Sequence, residues 1–268
     1  MERSTFPGFL IALWAASMAT GAVARADVAT IGTSKDNTIF QSNVNNSLGA
    51  GQAIFAGTNG QSSPRRGLID FDIANSIPAG STINSVQLTL FLNQVGSAAT
   101  SNPTIRLCRL ANDWGEGTAG NSTNGVSGIG QGFAAGDGDA TWNARHFSAT
   151  TPTLWNTAGG DFAATDSAAL AIVGTTLNTP YTWGSTPALV ADVQSWLNNP
   201  ASNFGWMLKS DDELSASSVR GFWTREAVRT GQIAFVPQLQ VTYTAVPEPA
   251  GMIFMLAGTL LGLKRRGK

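Results

Sequence analysis

The sequence predicts an all-β protein, an antiparallel β-sandwich of jelly-roll type with one short helix. Three observations support this fold class. Several short segments alternate apolar and polar residues, as strands with one buried face do. Turn-forming residues separate these segments, and the chain contains 30 glycines. Only residues 186–199 show the spacing of an amphipathic helix.

The predicted strands follow one another along a single domain with one core and no repeats. Residues 66–73 and 86–92 alternate most regularly, so each is expected to bury one face. Because a short turn around Gly80 separates them, we expect these two to pair as antiparallel neighbours. The other predicted strands are residues 38–41, 53–57, 105–110, 140–143, 169–176, 204–209, 219–224 and 238–244.

The helix has its own start and stop signals. Thr186 can cap its N-terminus, and Pro187 suits the first helical position. An apolar stripe follows, and Pro200 then ends the helix. The stripe consists of Leu189, Val193, Trp196 and Leu197. Residues 42–51 and 115–138 are rich in Gly, Asn and Ser and are predicted to be loops.

The N-terminus, residues 1–26, has the pattern of a secretory signal peptide. A short region with Arg3 precedes an apolar core, and Ala24-Arg25-Ala26 supplies the small-x-small site that signal peptidase reads. Cleavage after Ala26 would make Asp27 the first residue of a mature domain covering residues 27–245. The alternative is an uncleaved membrane anchor.

Residues 246–268 combine three features in order. Pro247-Glu248-Pro249 comes first, then the apolar run 250–263, then a basic end with Lys264, Arg265 and Arg266. The run is shorter than the ~20 residues that span a bilayer, which favours transient membrane association. The segment resembles the PEP-CTERM sorting signal of Gram-negative bacteria, which implies processing by an exosortase near the Pro-Glu-Pro. An ordinary tail anchor is the alternative.

Composition excludes several function classes. The formal net charge is −1, so no basic surplus is available to bind nucleic acid. Cys108 is the only cysteine, so no intrachain disulfide can form. His146 is the only histidine, which rules out a Cys/His zinc site, and nothing near it resembles a nucleophile elbow.

The order of segments resembles a DNRLRE domain, a family that overlaps the family-96 carbohydrate-binding modules. The resemblance spans about 210 residues through the joint order of its pieces, and no single piece is specific. It departs from the family at the insert 115–138 and at the stretched connection 147–154. The matching pieces are Asp36-Asn37-Thr38-Ile39, residues 45–51, 66–73, 77–80 and 86–92, Trp114 to Thr118, Ala140-Thr141-Trp142-Asn143, Trp155 with Gly159-Gly160-Asp161, and residues 190–197, 203–208, 222–226 and 237–243.

The resemblance implies a sandwich that binds polysaccharide, and because the family has no established catalytic role it implies no catalytic residues. Sugar binding requires flat aromatic faces together with amide and carboxylate groups. Trp196 and Trp206 belong to apolar stripes and are assigned to the core. The remaining candidates, each of which could instead be structural, are Trp114, Glu116, Trp142, Trp155, Asp161, Trp183 and Trp223.

One structural calcium ion is the cofactor that the sequence allows. Asp137 and Asp139 form a D-x-D pair in a Gly-rich loop, although their spacing matches no known calcium loop. Arg66 is expected to pair with Glu226 or Asp72 across strands.

We therefore expect a non-catalytic, polysaccharide-binding protein of the cell envelope or exopolysaccharide matrix, delivered by signal peptidase and an exosortase-type enzyme. A structural matrix protein that makes protein contacts is the alternative. A glycan-cleaving enzyme, using Glu116 with Asp137 or Asp161, is a third hypothesis.

Overall fold

The computed structural model describes residues 25–96, 99, 101–120 and 130–246, and Arg25–Val246 form one compact unit. The strands are β1 (Ala26–Ile31), β2 (Thr33–Phe40), β3 (Asn46–Ser47), β4 (Ala53–Thr58), β5 (Pro64–Phe71), β6 (Thr82–Val95), β7 (Thr104–Arg109), β8 (Phe133–Ala134), β9 (Ala144–His146), β10 (Thr153–Leu154), β11 (Ala168–Ala171), β12 (Pro180–Trp183), β13 (Trp206–Ser210), β14 (Arg220–Trp223) and β15 (Gln238–Thr244). The helix α1 spans Pro187–Asn198, and 3-10 turns cover Pro200–Ser202, Arg225–Thr230 and Ile233–Phe235.

Eleven strands form one curled antiparallel sheet. Its order is β1-β15-β6-β14-β4-β5-β13-β7-β11, with β12 added beside β6 and β2 beside β5. The upper layer contains β1, β15, β6 and β12, the lower layer contains β2, β5, β13, β7 and β11, and β14 and β4 join them. Most neighbours are distant in sequence, as the crossing connections of a jelly roll require. The predicted antiparallel all-β sandwich is confirmed.

The main core lies between the two layers. Strand β6 contributes Val86, Leu88, Leu90 and Leu92, all fully buried. Strands β5 and β13 of the lower layer contribute the facing side chains, and β15 completes the upper wall. The alternation seen in the sequence of β6 therefore reports a strand with one face in the core.

Helix α1 matches its prediction closely. The Thr186 side chain accepts a hydrogen bond from the Leu189 backbone N–H at 3.0 Å, and Pro187 occupies the first turn. The predicted stripe of Leu189, Val193, Trp196 and Leu197 is buried in the main core. Trp196 packs edge-on against Trp206 at 4.5 Å between ring centroids, so both indoles are core residues as expected.

The predicted pairing of β5 with β6 is wrong. Strand β5 pairs with β2, β4 and β13, whereas β6 pairs with β15, β12 and β14. The connection through Ile73 and Ile77, both buried, carries the chain from one layer to the other. The two strands thus face each other across the core, and their similar patterns reflect a shared core rather than shared hydrogen bonds.

Strand β5 is buried on both faces, contrary to the expectation of one buried face. Ile69 points into the main core, while Leu68 belongs to a second cluster on the outer side of the lower layer. The prediction of a single core is therefore wrong. The segment that follows β7 covers this outer side, and the second cluster contains Ile39, Leu68, Cys108, Leu110, Trp114, Ala140, Trp142, Trp155 and Met207.

Several elements differ from the sequence prediction in existence or extent. Strands β1 and β12 were not predicted, and β6 is twice as long as residues 86–92. Residues 140–143 are not a strand, and the short ribbon of β9 and β10 follows them. The predicted loops contain the small strand pair β3 and β8. These elements are too short, or too irregular in sequence pattern, for periodicity to reveal them.

Most of the predicted targeting segments lie outside the described residues. Residues 1–24 and 247–268, including the Pro-Glu-Pro and the basic end, are among these. Of the predicted cleavage site, Ala26 and Asp27 are described, and both are exposed at the start of β1. Within the described part of the chain, no helix combines the length and the apolar character needed to cross a membrane.

Candidate functional site

Four of the five candidate tryptophans are buried. Trp183 belongs to the main core, and Trp114, Trp142 and Trp155 belong to the second cluster. The indole N–H groups of three of them donate to backbone carbonyls: Trp114 to Phe204 at 2.9 Å, Trp155 to Thr141 at 2.9 Å and Trp183 to Ile105 at 2.8 Å. These rings are packed and satisfied, so they present no face to a sugar.

Glu116 is a structural partner rather than an open polar group. Its carboxylate accepts hydrogen bonds from Arg225 Nε at 3.0 Å, from Arg225 Nη2, and from the Asp36 backbone N–H at 2.8 Å. Burial raises the pKa of Glu116, while the N–H donors and the Arg225 charge oppose that rise. This carboxylate ties the segment after β7 to β2 and to the 3-10 turn after β14.

Beside Glu116 lies a buried acid pair, Asp36 and Glu226. Asp36 Oδ1 and Glu226 Oε2 are fully buried and have no hydrogen-bond partner among the described residues. Burial is the first cause that raises the pKa of both carboxyl groups, and Glu226 further raises the pKa of Asp36 through like charge. Arg225 opposes the shift at both sites.

Asp161 closes a loop instead of contacting a ligand. It accepts hydrogen bonds from the backbone N–H groups of Asn156 and Thr157, each at 2.8 Å, and from Asn112 Nδ2 at 2.9 Å. Both Glu116 and Asp161, the carboxylates of the hypothetical glycosidase site, are thus held by donors within the protein.

The two aspartates proposed for calcium do not act together. Asp137 is exposed, whereas Asp139 is buried and accepts hydrogen bonds from backbone N–H groups, including that of Gly136 at 3.1 Å. A cation at Asp139 would have to displace these donors, so the residues present do not fit the ion. Across the described ranges, no cluster of three His, Cys, Asp or Glu side chains is arranged to hold a metal.

Arg66 does not pair with Glu226 or Asp72, and that prediction is wrong. Its guanidinium forms two hydrogen bonds with Glu213, Nε to Oε1 at 2.8 Å and Nη2 to Oε2 at 2.7 Å. It also lies over the ring of Trp142, with 4.8 Å between the guanidinium carbon and the ring centroid. Glu213 lies in the loop after β13, and no local pattern in the sequence links it to Arg66.

Trp223 is the candidate tryptophan that remains at the surface. Its ring is half-buried and stacks on Phe235, with 6.3 Å between centroids and 18° between planes. Phe91 meets Phe235 edge-on at 5.7 Å. The Trp223 N–H donates to the side chain of Asn178 at 2.9 Å, which fixes the orientation of the indole. We call Trp223, Phe235 and Phe91 the aromatic platform.

The platform adjoins the outer side of the upper layer, which we call the outer face. On β6, Gln87, Thr89 and Phe91 alternate with the core residues and therefore point outward. Register places Gln240 opposite Gln87, and places Gln238 and Thr182 on either side of Thr89. The Thr89 and Thr182 hydroxyl oxygens lie 2.8 Å apart. The outer face comprises Val28, Thr30, Gln87, Thr89, Phe91, Pro180, Thr182, Gln238, Gln240 and Thr242.

Sequence reasoning found Trp223 but missed its surroundings. Gln87, Thr89 and Phe91 were visible as the polar side of an alternating strand, which is a signal for an outward face. Phe235 lies in a 3-10 turn without any periodic pattern. The neighbours on β12 and β15 come from distant parts of the chain, and only their register brings them together.

No protein-family model matches this chain, and no curated protein is significantly similar to it in sequence.

Proposed function

We propose that this protein is an exported, non-catalytic β-sandwich that binds polysaccharide in the cell envelope or exopolysaccharide matrix. The observation that carries the proposal is the aromatic platform beside a sheet face rich in amide and hydroxyl groups. Delivery by signal peptidase and an exosortase-type enzyme is part of the same proposal. It is based on the sequence patterns of the two terminal segments. Membership of the carbohydrate-binding family that the order of segments resembles is part of the same proposal.

The chemistry of the platform suits a sugar ring. A pyranose has C–H groups on its faces and hydroxyls around its edge, so it packs on an aromatic ring while hydrogen bonding sideways. Trp223 stacks on Phe235 and donates its N–H to Asn178, so its ring is held in one orientation and binding would cost little conformational entropy. Gln87, Gln238 and Gln240 supply amide donors and acceptors on the adjoining face.

The proposal is tested by affinity electrophoresis of the purified protein through gels that contain single polysaccharides. Retardation in at least one polymer, reduced by Trp223→Ala, is the expected result. Leu214→Ala is the matched control, since Leu214 is an apolar side chain that is 92% exposed and lies outside the platform. Absence of retardation in every polymer, or equal retardation of wild type and Trp223→Ala, would reject the platform as a glycan site.

A protein-contact function is a second candidate, and exposed aliphatic side chains favour it. Ile233, in the 3-10 turn that supplies Phe235, is 67% exposed, and Leu177, next to Asn178, is 53% exposed. Aliphatic groups around an aromatic centre are typical of protein interfaces. Ile233→Ser separates the two functions, because it should weaken a protein complex and leave glycan retardation unchanged.

A further inference from the structure

We infer that the outer face binds an uncharged polysaccharide. It would contact sugars in the middle of the polymer rather than at a free end. This inference rests on the proposed function and adds the substrate class. It follows from three features of the described residues: the side chains on the face, the contacts that Lys and Arg side chains make elsewhere, and the shape of the surface.

The outer face carries no ionisable side chain at its described positions. Its strands contribute only amide, hydroxyl, aliphatic and aromatic groups. Gln87 and Gln240 are exposed and directly opposite each other, and Thr30 lies opposite Gln240 on β1. A polymer of uronic acids or sulfated sugars would lay anionic groups across this surface without a cation to balance them.

The amides themselves favour a neutral ligand. Each glutamine presents one carbonyl oxygen and one NH2 group, so it can accept and donate at the same time. A sugar hydroxyl also accepts and donates and can therefore satisfy both ends of the amide. A carboxylate or sulfate only accepts, so it can pair with the amide NH2 but offers no donor to the glutamine carbonyl oxygen.

Apart from Arg25, which is exposed and precedes the predicted cleavage site, the Lys and Arg side chains elsewhere in the described chain are engaged in other contacts. Arg65 and Arg220 are buried and donate to backbone carbonyls, Arg65 to Ser63 and Gly130 and Arg220 to Ser218, Val219 and Ser101. The remaining contacts join basic groups to carboxylates or a carbonyl: Arg66 to Glu213, Arg106 to Asp166, Arg109 to Asp192, Arg145 to Asp113, Arg225 to Glu116, Arg229 to Glu226, Lys209 to Glu213 and Lys35 to the Trp114 carbonyl.

The surface is a sheet face rather than a pit. Gln87 and Phe91 lie four residues apart along β6, or about 13 Å at ~3.3 Å per residue. Four strands at ~4.8 Å spacing make the face about 14 Å wide. Such a surface is longer than one sugar ring and open along the strands, so it can receive the middle of a chain and does not require a free end.

The test compares neutral and acidic polymers under two salt conditions. The purified protein is run against β-glucan, galactomannan, alginate and polygalacturonate, at low salt and at about 1 M salt, where the Debye length is ~3 Å. We expect retardation only by a neutral polymer, unchanged at high salt. Gln240→Ala should weaken it about two- to tenfold, the range of one lost hydrogen bond. Leu214→Ala should match the wild type.

The outcomes separate this inference from the proposed function. Retardation by an acidic polymer alone, falling at high salt, would overturn the neutral substrate class and leave polysaccharide binding intact. Retardation by a neutral polymer that Trp223→Ala and Gln240→Ala both leave unchanged would overturn the assignment to the outer face. Absence of retardation by all four polymers, and by a wider panel, would overturn both proposals. A Gln87→Glu variant adds a further check: its carboxylate still accepts hydrogen bonds from sugar hydroxyls, so it should only weaken retardation by the neutral polymer, and an unchanged retardation would count against contact at Gln87.

Discussion

Ala26 and Thr244 are directly paired across the β1–β15 ladder. The chain therefore enters and leaves the folded unit side by side, at one end of the upper layer. Strand β1 closes this layer, since β15 lies between β1 and β6. The predicted cleavage site after Ala26 thus lies beside Thr244, two residues before the predicted sorting segment begins in the sequence.

The first prediction concerns the mature N-terminus. Cleavage after Ala26 leaves Asp27–Ile31 paired with β15 and retains Ile31 in the core, so the mature sheet keeps its edge strand. We expect mass spectrometry of the exported protein to find Asp27 as the first residue. Ala26→Leu, which enlarges the side chain read by the peptidase, should block cleavage. A mature chain that begins downstream of Ile31 would contradict this prediction, because it would lack β1.

The second prediction concerns pH and the Asp36–Glu226 pair. Both carboxyl groups have a raised pKa in the folded protein. Their contribution to stability is therefore fully present below their unfolded-state pKa values, near 4, and is lost as the pH rises through their folded-state pKa values. The free energy of unfolding should therefore fall toward neutral pH, by at most about 1.4 kcal/mol per pH unit for one proton. The charged neighbours that influence the pH range of this loss are Glu116, Arg225 and Arg229.

Asp36→Asn tests this linkage. The amide removes one charge from the pair and carries an NH2 donor where Asp36 has a second carboxylate oxygen. Urea unfolding across pH 4 to 8 should show a flatter profile for Asp36→Asn than for the wild type, with the larger gain at the higher pH. Asp137→Asn, at an exposed carboxylate, should retain the wild-type slope. Parallel profiles for wild type and Asp36→Asn would contradict the assignment.

The third prediction concerns the Arg66–Glu213 pair. The two side chains are only 12% and 15% exposed, and their contact is bidentate. Removing one partner of a buried pair costs about 3 to 5 kcal/mol, but Lys209 remains 3.4 Å from Glu213 and offsets part of that. Arg66→Met should lower the free energy of unfolding by about 2 to 3 kcal/mol. Arg145→Met, at a more exposed pair with Asp113, should cost less than about 1 kcal/mol.

Local pattern explains which elements the sequence predicted. Strand β6 and helix α1 each bury one face, so their periodicity is written in consecutive residues. The strands that pair with β6 cannot be identified from local periodicity, because β15 and β12 follow β6 only after long intervening segments. The same limit hid the Arg66–Glu213 contact and produced the wrong β5–β6 pairing, since two strands facing one core look alike whether or not they share hydrogen bonds.

The burial of the tryptophans could likewise not be predicted from the sequence. Trp114 and Trp155 lie in stretches rich in glycine and polar residues, which resemble exposed loops. In the structure, these stretches pack over the outer side of the lower layer, where they bury Leu68 and Met207. An aromatic residue in an irregular segment carries no period, so sequence alone cannot distinguish a ring packed under the loop from one presented to solvent.

The fourth prediction concerns the start of α1. Thr186 Oγ1 accepts from the Leu189 N–H at 3.0 Å and donates to the Ser167 carbonyl at 2.5 Å, so it caps the helix and ties it to the end of the segment before β11. Thr186→Ala should lower the free energy of unfolding by about 1 kcal/mol or somewhat more. Thr186→Ser keeps the hydroxyl and should retain most of the stability. Equal losses in both variants would show that the methyl group, rather than the cap, matters.

The fifth prediction separates the surface tryptophan from a buried one. Trp155→Ala empties a packed site and frees the Thr141 carbonyl, so it should cost about 3 to 5 kcal/mol of unfolding free energy. Trp223→Ala removes a half-buried ring from its stack on Phe235 and should cost only about 1 kcal/mol. For glycan affinity, Trp223→Ala should weaken binding at least about tenfold, as loss of a central aromatic contact does.

Trp223→Phe sharpens this comparison. The phenyl ring keeps a stacking face against Phe235 but lacks the N–H that donates to Asn178, so binding should be intermediate between wild type and Trp223→Ala. Affinity electrophoresis reports binding, and urea unfolding of the same samples reports stability. If Trp155→Ala, measured where it is still folded, abolished glycan binding while Trp223→Ala did not, the glycan site would lie over the second cluster, and the aromatic platform would have a different role.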